Sequence, residues 1–424
     1  LTTKNVLISG ASIAGPALAY WLDRYGYAVT VVERAPALRT GGQAVDFKGA
    51  THRAVLERMG IAAEVHARRT GATDTVFVDE SGRRLAMLSG DFTGGDVEIL
   101  RGDLSRILYE RTAATCEYLF DDTVRALADT GEGVHVTFEH AAPRTFDLVI
   151  GADGIHSRVR ALVFGPERDF VTHLGHYYCV AGASPWSGRD GEPATRACAT
   201  GYNAPGRLAV SGGPKAQQLY LFAAPRLDYA RSDVAAQREI VARTFAGLGW
   251  EVPRMLAELD SFDDFYLDSI SRVDMSKTGY TKGRIALLGD AAYGNTLGGF
   301  GTGLAVVGAY VLAGELARHD GDHVAAFAEY DRVMRRYTRM AGRGNAGRFL
   351  APKTRRGIAL RNWLLGSRLW TLMLKYTDTA SNDIELRDYP TPFAPSRIGG
   401  SFDGTAASGS ASISSDGTDG RGPA

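Results

Sequence analysis

Short apolar runs alternate with amphipathic stretches along the first half of the chain. Val6-Leu7-Ile8 reads as a buried strand, Ala17-Leu18-Ala19-Tyr20-Trp21-Leu22 as a helix and Val29-Thr30-Val31-Val32 as a second strand. Between the first two lies Ser9-Gly10-Ala11-Ser12-Ile13-Ala14-Gly15-Pro16, and Pro16 suits a first helical turn, where its missing donor costs nothing. A helix is expected from Ala50 to Met59, stopped by Gly60, and a hairpin from Thr73–Asp79 and Arg84–Leu88 around Glu80-Ser81-Gly82. The run from Glu98 to Leu104 opens a further helix to about Ala113. Strands follow at Glu117–Phe120 and Val134–Phe138. A third, Phe146–Ile150, ends in Gly151-Ala152-Asp153-Gly154 ahead of a helix at Ser157-Arg158-Val159-Arg160.

The texture changes from about Val171 to Met275. Alternating runs such as Gln218-Leu219-Tyr220-Leu221-Phe222 predict antiparallel strands, with helical patches at Ala235–Phe245 and Pro253–Leu259. Arg284–Leu288 is another buried strand, ending in Gly289-Asp290-Ala291-Ala292. A loop holding Gly294, Gly298, Gly299, Gly301 and Gly303 leads into a small-residue helix, Leu304–Ala317. Ala325–Met340 and Ile358–Tyr376 read as amphipathic helices, and the Gly/Ser/Asp/Ala-rich chain beyond Ser396 as a disordered tail. The expected organisation is a dinucleotide-binding domain in three pieces, 1–72, 97–170 and 277–345. A hairpin (73–96) and residues 171–276 form a substrate domain, followed by a helical cap (346–395) and the tail (396–424).

Composition narrows the function. With 48 Lys+Arg against 48 Asp+Glu there is no basic field for nucleic acid or an anionic membrane, which leaves a small-molecule substrate as the expected partner. Cys116, Cys179 and Cys198 stand apart with no C-x-x-C, which points to a reducing, cytoplasmic compartment and no zinc ribbon. No basic-then-apolar leader precedes the first strand. Leu304–Ala317 is broken by Gly308, Gly314 and Glu315 and falls short of the ~20 apolar residues that span a bilayer, so it reads as a buried helix of a soluble protein.

A strand, a glycine turn and a helix in that order aim backbone N–H groups at a pyrophosphate. An acid at the end of the second strand, here Glu33, lies where it binds both ribose hydroxyls of an adenine dinucleotide. The pattern departs from G-x-G-x-x-G at Ser12, whose hydroxyl can donate to phosphate where a glycine would let the backbone approach. Alone, the motif fits an ordinary βα turn equally well. Gly41-Gly42 before the alternation at Gln43-Ala44-Val45-Asp46 suggests backbone close to a ligand, or a plain loop. Arg101 sits where it can meet a phosphate or a ring oxygen, or simply a helix cap. Asp290 at its turn is harder to explain by packing. His173/His176 has no third ligand signalled nearby, and His319/His323 lacks the Glu of a zinc-protease helix and has Gly321 between, so neither pair reads as a metal site. Tyr177, Tyr220, Phe222, Phe265 and Phe300 are candidates for substrate contact, and each is equally plausible as core.

Three separated pieces resemble the single-component flavoprotein monooxygenases of the para-hydroxybenzoate hydroxylase type. Gly10–Gly15 with Glu33-Arg34 looks like their ADP-binding motif, Asp147–Arg160 like the Asp-Gly motif that touches both FAD and NADPH, and Gly289-Asp290 like the motif that binds the ribityl chain. A closer likeness is to the tetracycline destructases. It is carried by Gly41–Asp46, Glu98–Leu104, Asp263-Asp264-Phe265-Tyr266, Thr281–Leu287 and Val307-Gly308-Ala309-Tyr310. The resemblance implies an α/β fold: a Rossmann-like FAD-binding domain of the glutathione-reductase type, an inserted α+β substrate domain carrying an antiparallel sheet, and a C-terminal helix that helps close the site.

It also implies FAD as cofactor and NADPH or NADH as transient reductant. The expected cofactor contacts are Gly10, Ser12, Ile13, Ala14, Gly15, Glu33, Arg34, Arg39 (toward NADPH), Gly42, Gln43, Asp46, Arg101, Val124, Asp153, Gly154, Gly289, Asp290, Gly299 and Gly301. The implied reaction inserts one oxygen from O2, through a flavin C4a-hydroperoxide, into a polycyclic aromatic or enolic molecule of polyketide or tetracycline type. The flavin carries the chemistry, so no protein base is assigned. Baeyer–Villiger insertion is the alternative, and a silent flavin-binding scaffold the rival from another class. The family's loop prolines are replaced by Asn295-Thr296-Leu297, and its Gly-Gln-Gly by Gly299-Phe300-Gly301.

Overall fold

The computed structural model describes residues 4–39, 44–71, 73–90, 95–183, 197–213, 216–298, 301–340, 345–367, 370 and 384–390. Val6, Leu7 and Ile8 are wholly buried, as a strand covered on both faces requires. Their strand, Asn5–Ser9, lies inside a six-stranded sheet ordered Thr281–Lys282, Ile285–Leu287, Leu148–Gly151, Asn5–Ser9, Ala28–Glu33, Glu117–Phe120. Neighbours are parallel except the first pair. Chain segments far apart in sequence therefore share one sheet. The helices Ala14–Arg24, Gly301–Arg318 and His323–Met340 belong to the same layered assembly, and residues of all three enter its core.

The second sheet has seven strands: Phe265–Val273, Val171–Ala181, Gln218–Ala223, Arg207–Ser211, Ala197–Ala204, Thr73–Val78 and Arg84–Leu88, in that order. It is antiparallel as expected, with one exception: Ala197–Ala204 runs parallel to Thr73–Val78, so the early hairpin docks as a crossover. Its two faces carry separate cores. One face holds Tyr178, Val180, Leu208, Leu221 and Ile270 with Leu365 and Trp370. The other holds Tyr177, Cys179, Tyr220 and Phe222 against the helices Val234–Phe245 and Val252–Glu258.

Two local expectations are corrected. Val97–Leu100 is a strand paired antiparallel with Ala44–Phe47, and the helix starts only at Arg101, running to Glu110. Burial of Ile99 and Leu100 in that ribbon overrides the helical pattern. Val124–Asp129 is an unanticipated strand that joins Val134–Phe138 and Arg144–Phe146 in a separate three-stranded sheet. The terminal amphipathic helix begins at Arg355 and is described to Leu365; residues 368, 369 and 371–376 of that expectation lie outside the described residues.

Residues 384–390 form an extended strap over the first sheet's helices. Ile384 N–H donates to Thr51 Oγ1 at 2.9 Å, and Arg387 and Tyr389 donate to Glu315 Oε1 at 2.7 and 2.8 Å. Glu315 is fully buried, and Arg318 reaches its other oxygen at 3.1 Å. Among the described residues no helix is long and apolar enough to cross a membrane.

Candidate active site

The first turn is built for close approach. Gly10 has φ +111°, and a Cβ there would lie 2.5 Å from Ala152 O; a Cβ on Gly15 would lie 1.9 Å from Gly10 O. Only glycine fits either place. Ile13 precedes the helix Ala14–Arg24 and no side chain caps its start, so its first N–H groups remain for an anion. Glu33 clasps the turn from outside: Oε2 accepts from Ala11 N–H at 2.8 Å and Oε1 from Ala35 N–H at 2.9 Å. Each oxygen keeps lone-pair capacity for a further donor.

Ser12, the departure from the glycine pattern, has a defined partner. Arg101 donates to Ser12 Oγ through Nε at 3.2 Å and Nη2 at 3.0 Å, and Ser105 Oγ donates to Ser12 O at 2.8 Å. The serine thus anchors a guanidinium at the turn, which no glycine could do. Asp46 lies on the ribbon that leads into Arg101, and its Oδ1 accepts from Gly95 N–H at 3.1 Å.

The second and third turns converge on the first. The carboxylate of Asp153 is committed to its own helix, accepting from Ser157 Oγ at 2.5 Å and from the N–H groups of Arg158 and Val159. Burial pushes that carboxyl above its usual range, against these bonds. Gly154 beside it has open space around it. Arg160, fully buried, donates to Ile155 O and to Ala291 O at 2.8 Å, tying the second turn to the third. Gly289, at φ +63°, packs against Ala14. Asp290 is an exposed residue whose carboxyl is nonetheless hemmed in by protein; that desolvation pushes the carboxyl up, and Arg101 pulls it down. Asp290 Oδ1 lies 3.6 Å from where a Gly301 Cβ would stand, at the start of the 18-residue helix Gly301–Arg318.

The loop after Asp290 is sewn to the edge strand of the second sheet. Val273 N–H donates to Gly294 O at 2.8 Å, Thr296 N–H to Ser271 O at 3.0 Å, and Asn295 forms a bridge with Arg272. Leu297, at φ +54°, leans onto the sheet face that carries Tyr178 and Tyr266. Asn295 Oδ1 is buried and has no partner among the described residues.

Three of the expected substrate aromatics lie on the other face of that sheet. Phe222 and Tyr177 lie on the opposite, helix-covered face, stacked 5.6 Å apart, and Phe265 packs on that face too. In a strand, neighbours point to opposite faces, so Tyr178 and Tyr266, which sequence reasoning did not single out, lie on the face onto which Leu297 packs. Phe300, Gly42, Gln43 and Gly299 lie outside the described residues. Val124 is wholly buried at the start of the three-stranded sheet, and Arg39 is exposed in coil.

Arg34 lines a separate cavity of about 450 Å³ with His156, Glu167, Arg226, Arg231 and Asp268. His156 Nδ1 meets Glu167 Oε2 at 3.0 Å, and its Nε2 meets both Asp268 oxygens at 3.1 Å. Burial alone would push His156 down, but its bonds to Asp268 and Glu167 outweigh it and raise the imidazole above its ordinary range. Burial raises both carboxyls as well; the bonds from His156 prevail and hold them low.

The parts fit a dinucleotide with a polar tail: a turn with no room for Cβ atoms, an uncapped helix start, a cation on Ser12, and an acid with no protein donor among the described residues. The family described as FAD binding domain matches residues 3–325. The chain is 42% identical over 343 residues to an uncharacterised protein of Mycobacterium tuberculosis, covering 77% of this chain and 88% of the relative. It is 38% identical over 344 residues to a flavin-dependent monooxygenase of an unknown prokaryotic organism (79% and 86% covered). Among solved structures it is similar to the tetracycline destructase Tet(51), with TM-score 0.75, 31% identity, and 92% of this chain and 99% of that one covered.

Proposed function

We propose that this chain, which belongs to the FAD-binding-domain family and is an FAD-dependent monooxygenase, oxygenates a polycyclic aromatic or enolic small molecule of tetracycline-like shape. NADPH or NADH is its reductant. The observation that carries the reading is the sheet face beside Asp290. There Leu297 and Tyr266 are partly open, over the buried Tyr178, Val180, Leu221 and Ile270, beside the loop that follows the acidic turn. A flat ring system edged with oxygens suits such a surface.

Bound FAD supplies the redox and oxygen chemistry. This chain's residues do the rest. Gly10, Gly15 and the Ala14–Arg24 helix start would receive the pyrophosphate, Glu33 the ribose, and Asp290 the ribityl hydroxyls. Arg101 would place positive charge between pyrophosphate and ring. The C-terminal helices pack against the sheet face and keep water from it. Arg34, Arg226 and Arg231 around the 450 Å³ cavity support a phosphate-bearing reductant there. The test is to purify the protein, record its flavin spectrum and follow NADPH oxidation with tetracycline and other phenolic polyketides. The expected result is substrate-stimulated oxidation with one added oxygen in the product. Oxidation indifferent to every polyketide would overturn the substrate class.

A further inference from the structure

The whole-chain balance of 48 cations against 48 acids conceals a one-sided stretch. Residues 332–377 hold ten Arg and two Lys with no Asp or Glu. Part of that stretch is the helix Arg355–Leu365, which packs beside Arg84–Leu88, the end strand of the second sheet. The inner side of the helix is committed. Leu365 joins the sheet's core, and buried Arg361 donates to Asn203 Oδ1 at 2.7 Å and lies 3.8 Å from the centre of the Phe77 ring. The outer side is apolar. Leu360 is 65% exposed and Trp363 66%, and Arg356, Leu360 and Trp363 recur at helical spacing on one face. A groove of about 530 Å³ opens between helix and strand, lined by Leu85, Ile358, Ala359 and Trp363 with Arg355 among them. Leu85 is turned toward it by a bulge: Ala86 pairs with Phe77 and Arg84 with Val78, which leaves Leu85 unpaired and 44% exposed. Arg355 and Arg356 occupy the first helical turn, where the helix dipole disfavours positive charge, so helix stability does not ask for them. Among the described residues neither they nor Lys353 form an ion pair. Of the acids on this side, Asp79 is held by Arg83 at 2.9 Å, and Glu80 lies near enough that it and Arg355 both act on Tyr202.

We propose that this face docks on an anionic bilayer surface. Lys353, Arg355 and Arg356 meet the lipid phosphates, while Trp363, Leu360 and Leu85 enter the boundary between headgroups and acyl chains. Lys and Arg are drawn to an anionic leaflet, and Trp settles at that boundary with its ring in the apolar side. Nucleic acid would neutralise the cations yet leave the leucines and the indole in water. A second copy meeting its own face would set cation against cation. A bilayer takes up both kinds of side chain at once. The docking holds whatever the substrate is. With the polycyclic substrate proposed above, it brings the helix that covers the sheet face to the phase in which such a molecule dissolves.

The test needs no substrate. The FAD-loaded full chain is floated with vesicles of phosphatidylcholine alone, or of phosphatidylcholine mixed with phosphatidylglycerol, at low and high salt. The expected result is flotation with the anionic vesicles only, weakened by salt. Arg355→Gln with Arg356→Gln is expected to weaken binding about twenty-five-fold, about fivefold for each cation lost near such a surface. Leu360→Ser with Trp363→Ser is expected to weaken it at least about tenfold while keeping FAD content and flavin spectrum. Brominated acyl chains are expected to quench wild-type tryptophan fluorescence more than that of Trp363→Phe, which still floats. No flotation with anionic vesicles, or flotation untouched by Leu360→Ser with Trp363→Ser, overturns the docking. A dimer in solution that Trp363→Ser dissolves gives the face to a second copy and overturns it too. The polyketide assay with the wild-type enzyme decides the function reading separately.

Discussion

Replacing Thr296 by proline removes one N–H from the seam between the cofactor loop and the edge strand. That N–H donates to Ser271 O at 3.0 Å, beside the bond from Val273 N–H to Gly294 O at 2.8 Å. Ser271 is only 2% exposed, so water has poor access to replace the lost donor. A backbone hydrogen bond contributes about 0.5–1.5 kcal/mol net, and a buried acceptor left unpaired costs about 1–3 kcal/mol. A loss of about 2 kcal/mol for opening the seam follows, and at 1.4 kcal/mol per factor of ten the seam opens about thirtyfold more often. The Val273 amide reports it, because its exchange with solvent deuterium requires that opening. Thr296→Ala keeps the N–H and serves as control. Equal Val273 exchange in the proline and alanine variants would refute the reasoning, and the seam would then be a neighbourly contact rather than a restraint.

Three further outcomes are expected. Gly15→Ala puts a methyl 1.9 Å from Gly10 O and should yield a folded but colourless protein, whereas Gly26→Ala, left-handed but in open space, should cost about 1–2 kcal/mol and keep its FAD, both read by absorbance and urea melts. Asp290→Asn should weaken FAD retention yet stabilise the apoprotein near neutral pH. A carboxyl raised by burial contributes stability below its unfolded value of 3.8 and loses it as pH rises through the folded value, so the variant's advantage should vanish toward acid. For His156→Gln the wild-type advantage, about 1–3 kcal/mol, should peak in a window. His156 is raised, so its share is full below 6.5 and lost as pH rises through its folded pKa. Asp268 and Glu167 are lowered, so theirs is present above 3.8 and 4.5 and lost as pH falls through their folded values; a melting difference flat from acid to alkali would sink this.

Much of the nucleotide-binding half was legible because its chemistry is local. Val6–Ile8, the glycine turn and Glu33 lie within one βαβ unit, and the Gly289-Asp290 turn follows a fully apolar strand. Which face each residue of the second sheet takes was not legible, for a physical reason. His176 to Ala181 are all buried, because that strand is covered on both sides, so no polar alternation tells the two faces apart. Tyr177 and Tyr178 look alike in sequence and end on opposite faces. Asp153 shows a subtler limit: the residue type suits a ligand, and what the sequence did not show is that its carboxylate also accepts from Ser157 Oγ and from the first N–H groups of the helix that follows. Glu98–Leu100 turned from helix to strand because its partner, Ala44–Asp46, is more than fifty residues away, beyond any local window.

The strap at 384–390 has a consequence for biogenesis. A ribosome delivers the first strand well before its inner sheet neighbours near residues 148 and 285, and the guanidinium and phenol that cover Glu315 later still. Until those residues emerge, nascent chains carry open strand edges and a half-neutralised carboxylate in an otherwise greasy helix. Such intermediates are sticky. The yield of this protein in a foreign host should follow how well the cell shelters unfinished polypeptide, more than how stable the finished one is.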